Sequence, residues 1–145
     1  MIIQHPGQGQ VRPVLDAARL GLAHLEALVA IDSASDERSD TCPSTPGQRV
    51  IAAFLADFFR GVGADVSIDD HGNVLAALPG RGVGVGQSPI ALMAHLDTAR
   101  GTAPLPRLHL QADWSGGKVP YPANDGLCVD VDTYPATVDF VGHTI

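Results

Sequence analysis

The stretch Pro89 to Thr98, Pro-Ile-Ala-Leu-Met-Ala-His-Leu-Asp-Thr, constrains the fold more than any other part of the chain. Five uncharged apolar residues, Ile90 to Ala94, predict a short strand covered on both faces, because such runs belong to buried sheets. The run closes on His95 and Asp97, with Leu96 between them. Alternate residues of a strand share a face, so the two polar groups should project the same way. They would then stand at the C-terminal end of the strand, where open α/β sheets gather their ligands. Neutral imidazole is a common zinc ligand, and a neighbouring carboxylate can fix its tautomer and orientation.

Helical and hairpin signals precede this stretch. Residues 1 to 11 read as a flexible tail, and Pro13 suits the first turn of a helix. Leu15, Ala18, Leu22, Leu25 and Val29 then recur at helical spacing, up to Asp32-Ser-Ala-Ser35. A second helix should start with Thr45 as N-cap, Pro46 at the first position and Gln48 closing a capping box. Ile51, Phe54, Leu55, Phe58 and Val62 line one face of it, and Gly61 and Gly63 end it. Strand-like residues 64–68 and 74–78 flank Asp70-His-Gly-Asn73, which predicts a hairpin. Gly80 to Gly86 lacks both the spacing of a dinucleotide-binding loop and the helix that should follow one, so a loop between strands is expected. The sum is an α/β fold. Residues 99–145 carry five prolines and few periodic apolar positions, and are expected to be largely irregular.

Composition limits the function classes. The chain has 145 residues, 45% hydrophobic and 17% charged, which fits one ordinary soluble domain, and no linker or repeat divides it. A formal net charge of −7 without a basic stripe argues against a nucleic-acid partner. No apolar stretch reaches membrane-spanning length, and the first ten residues lack the pattern of a signal peptide. Cys42 and Cys128 form no Cys-x-x-Cys pair and read as reduced thiols, so a cytoplasmic location is expected.

Other candidate chemistry is weaker. His5, His24, His71, His109 and His143 have no ligand spacing to a partner and read as solvated or structural histidines. Asn124, Asp125, Asp130 and Asp132 do not match a calcium loop and read as a solvated acidic segment. Trp114 either lines a cleft or covers the core. No Gly-x-Ser-x-Gly elbow is present, and Cys128 has neither a helix start nor a histidine to activate it.

Ala91-Leu-Met-Ala-His-Leu-Asp-Thr98 resembles the first metal motif of the dizinc exopeptidase family that includes aminoacylases, carboxypeptidase G and peptidase T. Three further stretches resemble the peptidase T branch: Cys42-Pro-Ser-Thr-Pro-Gly-Gln48, Asp70-His-Gly-Asn-Val-Leu-Ala-Ala-Leu-Pro79, and Tyr121-Pro-Ala-Asn-Asp-Gly-Leu-Cys128 followed by Val141-Gly-His-Thr-Ile145. The resemblance implies a helix-flanked mixed sheet in a three-layer zinc-exopeptidase-like catalytic domain, of which residues 1–145 are an N-terminal part. It implies that His95 binds one of two zinc ions, with cobalt or manganese left open, and that Asp97 orients the imidazole. It also implies a small peptide, such as a tripeptide, as substrate of an aminopeptidase. In that family the bridging aspartate, the catalytic glutamate and the other ligands come later in the sequence. The expectation for this chain alone is therefore no peptidase activity, weak zinc binding, and self-association through uncovered sheet edges. The alternatives are a noncatalytic interaction module and a half-enzyme completed by another polypeptide.

Overall fold

A computed structural model describes residues 11–121 and 124–145. The chain divides into two compact units, one ending at Pro106 and the other spanning Arg107–Ile145.

In the first unit, helix α1 (Val11–Val29) is followed by helix α2 (Pro46–Gly61) and by an antiparallel hairpin of β1 (Asp65–Ile68) and β2 (Val74–Ala77). Helix α2 packs across the hairpin and buries Ile51, Ala52 and Ala56 along one stripe. Removing the Ile51 side chain from water contributes on the order of 2 kcal/mol. Asp65 pairs with Ala77 and Ile68 with Val74, a register that fixes the turn at Asp69–Asn73. Asp69, one residue before the expected turn, organises it. Its Oδ1 accepts the amides of His71 at 3.0 Å and Asn73 at 2.8 Å, and Oδ2 accepts Asn73 Nδ2 at 2.9 Å. These donors, the Asn73 side chain first, hold the Asp69 carboxyl below its usual range. Gly72 takes φ +83°, and a Cβ there would meet Pro43 Cγ at 2.9 Å.

The start of α2 departs from the expected capping box. Thr45 is the N-cap, but its Oγ1 donates away from the helix, to the Ala34 carbonyl at 2.8 Å. Gln48 instead pairs one residue earlier: its Oε1 accepts the Ser44 amide at 2.9 Å, and its Nε2 donates to Ser44 Oγ at 3.2 Å. Pro46 at the first position and the stop at Val62–Gly63 match the sequence pattern. Helix α1 leaves Leu20, Leu22 and Leu25 exposed, and its His24 ring meets Phe58 of α2 edge-on at 4.8 Å.

The expected buried strand at Ile90–Ala94 does not form. The segment has no ladder partner among the described residues, and Ile90, Leu92 and Met93 are 90, 95 and 100% exposed. An apolar run becomes a central strand only when other strands flank it. Among the described residues the bridge to this stretch falls at its end, a parallel pairing of Ala34 with Thr98, past the apolar run.

The second unit holds a hairpin of β3 (Val119–Tyr121) and β4 (Asn124–Val129), with a register shift between Pro120 and Tyr121. Trp114 is its buried centre, 1% exposed. The Trp114 amide donates to the His143 carbonyl at 3.0 Å, and the Gly142 amide donates to the Trp114 carbonyl at 2.7 Å. Gln111 and Ile145 exchange both backbone bonds, at 2.8 and 3.0 Å. Asp130, expected in solvent, is buried instead: it accepts the Thr133 amide at 2.7 Å and the Cys128 thiol at 3.5 Å. The Thr133 amide is the main cause of its lowered pKa.

Two α-helices and short antiparallel hairpins among the described residues meet the α/β expectation. Among the described residues these strands make two separate sheets.

Candidate functional site

His95 and Asp97 meet as the sequence pattern requires, although not from a strand. His95 Nδ1 lies 2.7 Å from the Asp97 backbone oxygen and 3.2 Å from Asp97 Oδ1. Both partners are acceptors, so the arrangement favours a proton on Nδ1 and leaves Nε2 with its lone pair free. The His95 side chain is 84% exposed, which keeps Nε2 open to an incoming ion. Asp97 is half-buried and lies next to the bridged residue Thr98.

The pair faces an open cleft of ≈ 790 Å³ whose lining includes Cys42, His71, Asn73 and Met93. One wall is a clasp between two loops. Arg49 Nη2 on α2 donates to the Asp70 carbonyl at 3.0 Å and to the Cys42 carbonyl at 3.4 Å. The Pro43 ring packs against Gly72 behind it. Beside the motif, Arg100 pairs with Glu37. Arg38 pairs with Asp36 at 3.1 Å and, mainly through that side-chain bond, draws the Asp36 carboxyl below its usual range.

His95 could offer an ion one imidazole nitrogen, with the Asp97 carboxylate beside the ring. Among the described residues, no group of three or more His, Cys, Asp or Glu side chains could hold a metal ion, whereas a catalytic zinc site normally takes three protein ligands. The other histidines do not join His95 in such a group. His24 packs on Phe58, His71 stands in the hairpin turn, and His109 and His143 are in the second unit; His5 lies outside the described residues. Cys42 and Cys128 are free. Trp114 is buried in the core of the second unit.

Sequence reasoning missed Arg49, Gly47 and the Ser33–Ser35 segment that bridges to Thr98. Gly47 carried a signal: glycine inside a helix weakens it, so its presence there points to a close backbone approach.

No protein-family profile matches the chain. Comparison with curated proteins does find relatives. The chain is 42% identical to peptidase T of Bacillus velezensis over 72 residues, 49% of this chain and 17% of that protein. It is 33% identical to peptidase T of Geobacillus thermodenitrificans over 121 residues, 81% of this chain and 29% of the relative. A peptidase T-like protein of Rhizobium meliloti is 36% identical over 118 residues, 80% of this chain and 28% of that protein. These likenesses place the chain in a class by family rather than by activity. More particularly, the chain is peptidase T-like, and it spans less than a third of the length of these relatives. No described helix is long and apolar enough to cross a membrane.

Proposed function

We propose that this chain supplies the first metal-ligand segment of a peptidase T-type metallo-aminopeptidase acting on small peptides in the cytoplasm. The observation that carries the reading is His95: its Nδ1 is held by Asp97 and its Nε2 opens on a cleft. His95 is the ligand and Asp97 the group that fixes its tautomer. A bound zinc pair supplies Lewis-acid polarisation of a peptide carbonyl and a water of lowered pKa. The wall built from Cys42–Ser44 and His71–Asn73, clasped by Arg49, borders the space where a short peptide would lie.

By itself the 145-residue chain is expected to bind zinc weakly and to hydrolyse no peptide, since one ligand leaves a catalytic ion without its full set. The three-layer, helix-flanked sheet belongs to this proposal as well, with Ile90–Ala94 becoming a strand when further strands flank it. That exposed segment also favours a second reading, a half-enzyme completed by another polypeptide. The test measures tripeptide hydrolysis and zinc binding on the purified chain. The expected result is no hydrolysis, with weak zinc binding that His95→Ala abolishes. Robust, chelator-sensitive hydrolysis would overturn the inactive reading, and zinc binding unchanged by His95→Ala would overturn the ligand assignment.

A further inference from the structure

Gly47 lies in the first turn of α2, and a Cβ at this position would sit 1.5 Å from the Asp32 carbonyl oxygen and 2.7 Å from its carbon. The helix start therefore rests directly on the Asp32–Ser33 backbone. Thr45 adds a second tie through its 2.8 Å bond to the Ala34 carbonyl. The same short segment grips Thr98 from its other side. The Ser33 carbonyl accepts the Thr98 amide at 3.2 Å, and the Thr98 carbonyl accepts the Ser35 amide at 3.0 Å and the Ser35 hydroxyl at 3.2 Å. Thr98 directly follows Asp97, whose backbone and side-chain oxygens hold His95 Nδ1. The contacts run unbroken from the bare start of α2 to the imidazole.

We propose that Gly47 and Thr45 are positioning residues for His95: the start of α2 sets the Ser33–Ser35 shelf, the shelf sets Thr98, and Thr98 sets the Asp97 acceptors that leave Nε2 free for a metal ion. The inference rests on the metal-ligand reading of His95. A side chain at Gly47 must displace the backbone of Asp32, and the displacement passes to the Asp97 acceptors through bonds that tolerate only a few tenths of an ångström.

The test is the imidazole tautomer, read from long-range ¹H–¹⁵N spectra of histidine-labelled protein in alkaline buffer, with zinc affinity measured alongside by calorimetry. Wild-type His95 is expected to carry its proton on Nδ1. Gly47→Ala should move the population toward the Nε2–H form and weaken zinc binding about ten-fold, the scale on which an orienting partner acts. Gly21→Ala, where nothing lies within 4 Å of the added Cβ, should change neither. A folded Gly47→Ala protein that keeps both the tautomer and the affinity overturns the inference. Should that variant not fold, Thr45→Val carries the test: a smaller shift in the same direction supports the proposal, and an unchanged tautomer overturns it. A wild-type protein with the proton on Nε2, or zinc affinity unaffected by His95→Ala, removes the metal-ligand reading itself.

Discussion

His95 Nδ1 is closer to the backbone oxygen of Asp97, at 2.7 Å, than to its carboxylate, at 3.2 Å. The backbone acceptor survives any substitution at position 97, so losing the carboxylate removes only part of what orients the ring. Asp97→Ala is therefore expected to weaken zinc binding about ten-fold, the lower end of the range for orienting partners. Calorimetric titration of zinc into wild-type and variant protein checks this; equal affinities would assign the orienting role to the backbone alone.

Arg49 joins two loops of the cleft through the carbonyls of Cys42 and Asp70. Arg49→Met keeps much of the stem and removes both bonds. The expected cost is about 1 kcal/mol, with the bonds partly replaced by water. Urea unfolding measures that cost, and alkylation of the exposed Cys42 should become faster as its loop loosens.

The Asp69 turn gives a pH dependence with a defined sign. Its carboxyl is held below the usual carboxylate range in the folded chain, chiefly because of the Asn73 side chain. A depressed folded value contributes stability that is present above the unfolded pKa and is lost as pH falls through the folded one. The amide signals of His71 and Asn73 should hold their positions above the ordinary carboxylate range and shift together in stronger acid. Asp69→Asn should abolish that acid step, as followed by NMR.

Ile90, Leu92 and Met93 present a continuous apolar edge to solvent. Such an edge recruits other chains, and a lysine within it opposes pairing. The wild-type chain is expected to self-associate with rising concentration, and Leu92→Lys to reduce the association markedly. Size-exclusion chromatography with light scattering checks this; identical monomer profiles for both proteins would contradict it.

Local patterns made much of the first unit legible. Helical spacing marked α1 and α2, Pro46 and Gly63 marked the limits of α2, and two short runs around Asp70–Asn73 marked the hairpin. The sequence also put His95 beside Asp97, and the two do meet, through contacts of 2.7 and 3.2 Å in a segment that forms no strand. What stayed hidden depends on contacts distant in sequence. Whether Ile90–Ala94 is covered depends on strands from elsewhere, and its composition carries no record of whether they are present. The Ser33–Ser35 grip on Thr98 is backbone apart from the Ser35 hydroxyl, the pairing of Trp114 with His143 is wholly backbone, and neither carries a pattern that names its partner. The capping box failed for a similar reason: the Ala34 carbonyl, eleven residues upstream, captured the Thr45 hydroxyl and left Gln48 to Ser44.

Adding zinc to ¹⁵N-histidine-labelled chain and following each ring nitrogen tests the ligand assignment most directly. Nε2 of His95 is expected to shift first and furthest, while Nδ1 keeps its proton and His24, His71, His109 and His143 change little. A leading response from any other histidine, or from Nδ1 of His95, would contradict the assignment.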